Sequence, residues 1–471
     1  KLLADGPICY TVFVQPEIPM SKTPLCLAMA FALCAAPVQA KKSKAAPEAA
    51  KPAPYASTYR PIASPPVLLR NATVLTGTGE RLDDADVLMQ DGKIQAVGKN
   101  LAAPQGALSV DATGKWITPG IIDTHSHLGV YPSPGIDSTG DGNEMTSPVT
   151  AEVWAEHSVW PQDAGFAKAL AGGVTSLQIL PGSANLIGGR SVILKNVAAT
   201  TVQDMKFPDA PHGIKMACGE NPKRVYGNKG GPATRMGNMA GFREAFQNAE
   251  GYRRQLDRGE TPEPNLRNET LAGVMRGDIT VNIHCYRADE MAQMIDLSRE
   301  FGFKIASFHH AVEAYKVADL LARENICGAL WADWWGFKLE AYDGIEENIA
   351  LVDRVPGGCA IVHSDSSEGI QRLNQEAAKV IASSKRVNID ITPEHAIRWL
   401  TSNAAKALRI DDRTGSLQAG KMADVVVWNG MPFSTYAKAE KVFIDGALLY
   451  DRGNRALQPR VDFILGQEGQ P

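Results

Sequence analysis

A strong excess of either charge is the first thing this chain lacks, since 48 Lys and Arg stand against 52 Asp and Glu, a net −4. That balance gives no reason to expect nucleic acid or an anionic membrane surface as a partner. A long apolar run is missing as well. The stretch from Leu25 to Ala36 falls short of the roughly 20 residues that cross a bilayer. Cysteine motifs are also absent. Beyond residue 40 only Cys218, Cys285, Cys327 and Cys359 remain of the seven, with no CxxC pair and no zinc-ribbon spacing. Four cysteines in so long a chain make no disulfide framework, and core packing is the expected role of each.

What is present is a soluble globular composition, 44% hydrophobic and 21% charged, over 471 residues. Residues 20–40, MSKTPLCLAMAFALCAAPVQA, read as a secretory signal: Lys22, then an apolar run, then the small-residue site Val38-Gln39-Ala40. The expectation is an exported protein, periplasmic or secreted, with no stable membrane association after cleavage. Residues 1–19 precede the natural start at Met20 and read as a non-native extension. Residues 41–66 are rich in Ala, Pro and Lys without apolar periodicity, which predicts a flexible tether.

From 67 to 117, short β-rich runs alternate with turn signals such as Asp91-Gly92 and Gly98-Lys99-Asn100. A matching block at 412–460 carries Asn429-Gly430 and Asp445-Gly446. Between them, residues 118–411 alternate apolar runs with helical stretches, the pattern of βα units around a parallel sheet. Eight strands are expected, at Ile117–His125, Gly173–Leu180, Ser191–Val197, Gly213–Cys218, Ile279–Cys285, Phe303–Phe308, Ile326–Trp331 and Cys359–His363. Eight is the number that closes a (β/α)8 barrel. Residues 219–278 form an insertion, and Thr392-Pro393-Glu394 opens a last helix with Thr392 as its cap.

The run WITPGIIDTHSHLGV places His125 and His127 two residues apart, hence on one face of a strand. Two converging imidazoles are half of a divalent metal site. The motif PGIIDTHSH resembles the first strand of the amidohydrolase superfamily of metal-dependent hydrolases, with imidazolonepropionase-like and Xaa-Pro dipeptidase-like members nearest. The resemblance extends from about Ala72 to Tyr450. It implies an α/β fold, a (β/α)8 barrel with a small β-sandwich assembled from both chain ends.

Chemistry in such barrels sits at the C-terminal strand ends. His284, His310 and Asp365 stand at those ends, in the family's order, and complete a ligand set with His125 and His127. His309 is expected to face the opposite side of its strand from His310, and His363 to support Asp365 from behind. Strand four offers two residues. Lys215 matches the position where many members carry a lysine carboxylated by carbon dioxide, and Glu220 is a ready carboxylate five residues on. Glu220 is favoured, with Lys215 as its charge partner or a core-lining residue.

The resemblance implies two divalent ions, with zinc suited to these ligands, about 3.5–4 Å apart and sharing a bridging hydroxide. Asp365 would then serve as general base and acid. The reaction is hydrolysis of a carbon–nitrogen bond in a small peptide-like or cyclic amide. Arg190, Arg224, Tyr226 and Tyr286 are candidates to hold a substrate carboxylate, and Trp331, Trp334 and Trp335 form a candidate aromatic wall. Two other classes compete: a nucleobase-type deaminase with a mononuclear site, and a metal-free binding protein on the same fold.

Overall fold

The computed structural model describes residues 55–459 except Trp335. The expected signal, the residues before it and most of the tether lie outside that range.

Eight strands form one sheet in sequential order. They are Ile121–Ser126 (β1), Val174–Ile179 (β2), Ile187–Lys195 (β3), Gly213–Ala217 (β4), Thr280–Cys285 (β5), Ile305–His310 (β6), Cys327–Leu330 (β7) and Ala360–Val362 (β8). Gly120 separates β1 from the preceding strand Trp116–Pro119, so Ile117 belongs to a different sheet. The barrel is nearly closed. No ladder joins β8 to β1, but the Asp365 amide donates to the His125 carbonyl at 3.0 Å and the Ser364 amide to Asp123 Oδ1 at 3.2 Å.

One strand departs from the expected parallel arrangement: β3 runs antiparallel to both β2 and β4. Apolar periodicity reports that a strand is buried, not which way it runs, so the sequence could not show this reversal.

Helices begin and end at recognisable residues. Thr234 accepts from the Gly237 amide to start Arg235–Asp257, and Asn265 accepts from Asn268 to start Leu266–Arg276. The latter stops at Gly277 with φ 83°, a left-handed cap that glycine adopts without strain. Pro393 does open a helix, Pro393–Ala396, but Thr392 supplies no side-chain cap.

The chain ends build a second sheet. Val425–Trp428 pairs antiparallel with Trp116–Pro119, which brings the two blocks together at the register Trp428 opposite Trp116. The turns at Asp91-Gly92 and Asp445-Gly446 have positive φ at both positions (53° and 73°, 48° and 78°), as a two-residue hairpin turn requires. All eight strands, including Leu108–Asp111 beside Val67–Leu75, join in one hydrogen-bonded sheet. Its apolar residues, Leu69, Val74, Ile117, Val425 and Phe443 among them, enclose a core separate from that of the barrel.

Two expectations are corrected. The last residues of the presumed tether are held to the body: the Thr58 amide donates to the Gln203 carbonyl at 3.0 Å and Tyr59 Oη to Asp445 at 2.5 Å. The four cysteines pair, Cys218 with Cys285 and Cys327 with Cys359. Each pair lies on neighbouring strands: Ala217 stands opposite His284, and Gly328 opposite Ala360, so the adjoining cysteines face each other. Sequence separations of 67 and 32 conceal that proximity. The first pair sits at the end of the barrel that carries the histidines and the second at the opposite end.

Candidate metal centre

Six histidines, Lys215 and Asp365 converge at the C-terminal ends of the parallel strands. Asp365 Oδ1 lies 3.2 Å from His127 Nε2 and 3.5 Å from His125 Nε2, and Asp365 Oδ2 is 3.9 Å from His310 Nδ1. Lys215, with no exposed surface, places Nζ 3.4 Å from His125 Nε2 and donates to the Pro181 carbonyl at 3.1 Å. The His284 ring lies 4.7 Å from that of His310.

Hydrogen bonds orient the first two imidazoles. His127 Nδ1 donates to the Leu180 carbonyl at 2.8 Å, which aims Nε2 at Asp365. For His125 the orientation follows from a chain. Ser307 Oγ donates to Asn282 Oδ1, so it accepts from His309 Nε2 at 2.7 Å. His309 Nδ1 is then an acceptor for His125 Nδ1 at 2.8 Å, and His125 Nε2 keeps its lone pair toward the cluster.

His309 therefore faces into the barrel, against expectation. Alternation along β6 places Ser307 and His309 on the inner side. His310 would point outward but for its left-handed backbone, φ 66°, which turns its ring inward to stack on Trp331 at 4.1 Å. A period-two reading assumes regular strand geometry, and the strand ends here. His363, also inward, stacks on His125 with ring centroids 5.0 Å apart.

Burial is the first cause that depresses the pKa of His125, His284, His309 and His310 well below the ordinary imidazole value, with neighbouring cationic groups adding to it. His363 falls to about 3 for the same leading reason. At neutral pH these rings are uncharged, the form that ligates cations. Desolvation also brings Lys215 down to about 8. Burial pushes the Asp365 carboxyl up, but the hydrogen bond and charge of His127 prevail and hold it below its usual range.

The donor set fits divalent cations. Both nitrogens of His284 and of His363, and Nδ1 of His310, are buried without a hydrogen-bond partner. Such orphaned groups are costly in a protein interior, and a cation would satisfy them. Among the described residues, two triads bring ligand atoms within 4.8 Å of one another: His125, His127 and Asp365, and His125, His310 and His363.

Glu220 is not brought into this cluster. Its side chain lies 3.7 Å from Lys338 Nζ, and its amide donates to Glu340 at 2.9 Å. It starts a short helix, so the carboxylate is carried off the barrel axis, whereas Lys215 lies within β4 and points inward. The preference for Glu220 over Lys215 is reversed.

A cavity of about 730 Å³ opens over the cluster. His127, His284 and Asp365 form its floor, and Arg224, Tyr286, Trp331, Trp334, Phe337 and Lys338 are among its walls. Lys338 covers the Tyr286 ring at 4.1 Å and pairs with Glu340 at 3.1 Å. Arg224 makes no hydrogen bond or ion pair among the described residues.

Two other candidates fall away. Arg190 lies over the Trp154 ring at 4.3 Å and donates to Thr270, outside this cavity. Tyr226 is buried with Oη unpartnered and does not line it. The sequence pattern carries no signal for Lys338, whereas His363, two residues before Asp365, carries one.

Comparison with known proteins agrees with this arrangement. The Amidohydrolase family pattern matches residues 359–449. Amidohydrolase tasK of Hapsidospora irregularis is 35% identical over 435 residues, 82% of this chain and 43% of that protein, so the chain spans less than half of that relative. An imidazolonepropionase of Brevibacillus brevis is 23% identical over 75% of this chain and 86% of its own length. The crystal structure of an amidohydrolase from Thermotoga maritima superposes with a TM-score of 0.76 at 36% identity, over 82% of this chain and all of the other. Full coverage of that structure at such identity, on a barrel whose mouth gathers these histidines, makes this chain a member of the amidohydrolase superfamily.

Proposed function

We propose that this protein is an exported metal-dependent hydrolase of a carbon–nitrogen bond in a peptide-like or cyclic amide. The observation that carries the reading is the set of buried, uncharged imidazoles with unpartnered nitrogens beneath an open cavity. Two divalent ions, zinc by the donor set, supply Lewis acidity and lower the pKa of a water molecule when bound. His125, His127 and Asp365 would hold one, and His284 and His310 the other. Lys215 would stand between them as a carboxylate formed with carbon dioxide, because an ammonium has no lone pair to donate.

The residues of the chain do the rest. Asp365 takes the proton from the attacking water and returns it to the leaving amine. His309 and the Leu180 carbonyl hold His125 and His127 in the required tautomers. The aromatic wall excludes water from the scissile bond, and Arg224 with Tyr286 receives a substrate carboxylate. The sheet built from the two chain ends stands where the small β-sandwich is expected. Two disulfides support an oxidising compartment. A small molecule or short peptide is the partner of this site.

Metal content of the purified chain, measured by elemental mass spectrometry, tests the reading. Two ions per chain, with hydrolysis of dipeptides or cyclic amides, is the expected result. No uptake after zinc or manganese is offered would refute it, and one ion with ammonia released from a nucleobase-like ring would move the protein to the deaminases.

A further inference from the structure

His363 has a part in the cluster that the ligand scheme above leaves unused. It directly follows β8, and only 2% of its surface is exposed. An imidazole so deeply buried ordinarily donates from one nitrogen and accepts at the other. Neither nitrogen of His363 has a hydrogen-bond partner. A supporting role behind Asp365, the reading from sequence, would need a hydrogen bond to that carboxylate. The oxygens of Asp365 are instead directed to His127, His125 and His310.

The surroundings point elsewhere. The His363 ring lies 5.0 Å from both His125 and His310, centroid to centroid, and 5.5 Å from Trp331. One nitrogen of His363, one of His125 and one of His310 lie within 4.8 Å of one another. A tetrahedral zinc ion holds imidazole nitrogens at about 2.0–2.1 Å, which puts two such ligands roughly 3.3 Å apart. Tryptophan offers no lone pair in this geometry, so a cation among these rings is the partner left for His363.

We infer that His363 is a direct ligand of the ion that His310 would hold, so that the centre has five imidazole ligands. The inference rests on the proposed metal centre. Its consequence is that the ion held by His310 and His363 would be richer in nitrogen donors than the one that Asp365 serves with a carboxylate oxygen.

Cobalt(II) titration of the full chain, stripped of metal by chelation, tests this. The wild type is expected to take up two ions. His363→Gln should weaken one of them by more than the about 10–100-fold that loss of an outer hydrogen-bonding partner costs. In His363→Cys, a thiolate-to-cobalt charge-transfer band in the near ultraviolet appears only if residue 363 touches the ion. In the dicobalt wild type, hyperfine-shifted imidazole N–H resonances, one per ligand, should count five, a readout that needs no variant to fold. Four resonances, or two bound ions in His363→Cys without the band, would overturn the assignment and leave the metal centre standing. No cobalt or zinc uptake by the wild type would refute both.

Discussion

Replacing Lys195 with Met tests how the barrel is fastened to the terminal sheet. Lys195, at the end of β3, has no exposed surface, and Nζ lies 2.8 and 3.0 Å from the two oxygens of Asp424 and 3.2 Å from Asp445. Thr414 Oγ1 and the Asp445 amide also donate to Asp424, and Tyr59 donates to Asp445. One ammonium therefore neutralises two buried carboxylates. Met fills much of the same volume without the charge.

Removing one partner of a buried ion pair costs about 3–5 kcal/mol because the other charge stays behind. Against a total stability of about 5–15 kcal/mol, the variant would be close to unfolding. Burial, then the adjacent Asp424, already raises the Asp445 pKa, and loss of Lys195 would raise it further. A carboxyl raised in the folded state binds its proton more tightly there than in the unfolded chain. Its stabilising effect is complete below the unfolded pKa of about 3.9 and is lost as pH rises through the folded value. The penalty of Lys195→Met is thus larger at pH 8 than at pH 5.

Urea unfolding followed by circular dichroism at the two pH values measures it. Adding Asp445→Asn should recover part of the loss, since a single carboxylate then remains with its two donors. A penalty below about 1 kcal/mol at pH 8, or one that grows on acidification, would refute the reasoning.

Exchanging Lys215 for Met should abolish binding of at least one metal ion by elemental analysis, whereas Glu220→Gln should leave stoichiometry unchanged. His309→Phe removes the acceptor for His125 Nδ1 and should lower metal affinity about 10–100-fold in a competitive chelator titration. Replacing Cys327 and Cys359 together with Ala opens a loop of 32 residues and should cost about 2–4 kcal/mol in urea unfolding. Because that pair lies at the end of the barrel away from the histidines, KM should not change.

Periodicity and turn chemistry determined a large part of this fold. All eight barrel strands overlap the apolar runs, because a strand buried on both faces is largely apolar. The hairpins at Asp91-Gly92 and Asp445-Gly446 were legible because few residues tolerate two successive positive φ values. His125, His127, His284, His310 and Asp365, named from strand ends and family order, converge at one end of the barrel. Tertiary structure decided the rest. Strand direction, and with it the reversal of β3, leaves no periodic trace. The disulfides depend on which strands become neighbours. The choice between Lys215 and Glu220 turned on a short helix that carries one carboxylate away from the axis while the lysine stays on the inner face. His309 lies inward by alternation along β6, while His310 was brought inward beside it by its left-handed backbone and His363 by the end of β8, where the chain leaves the regular geometry from which side-chain direction can be read.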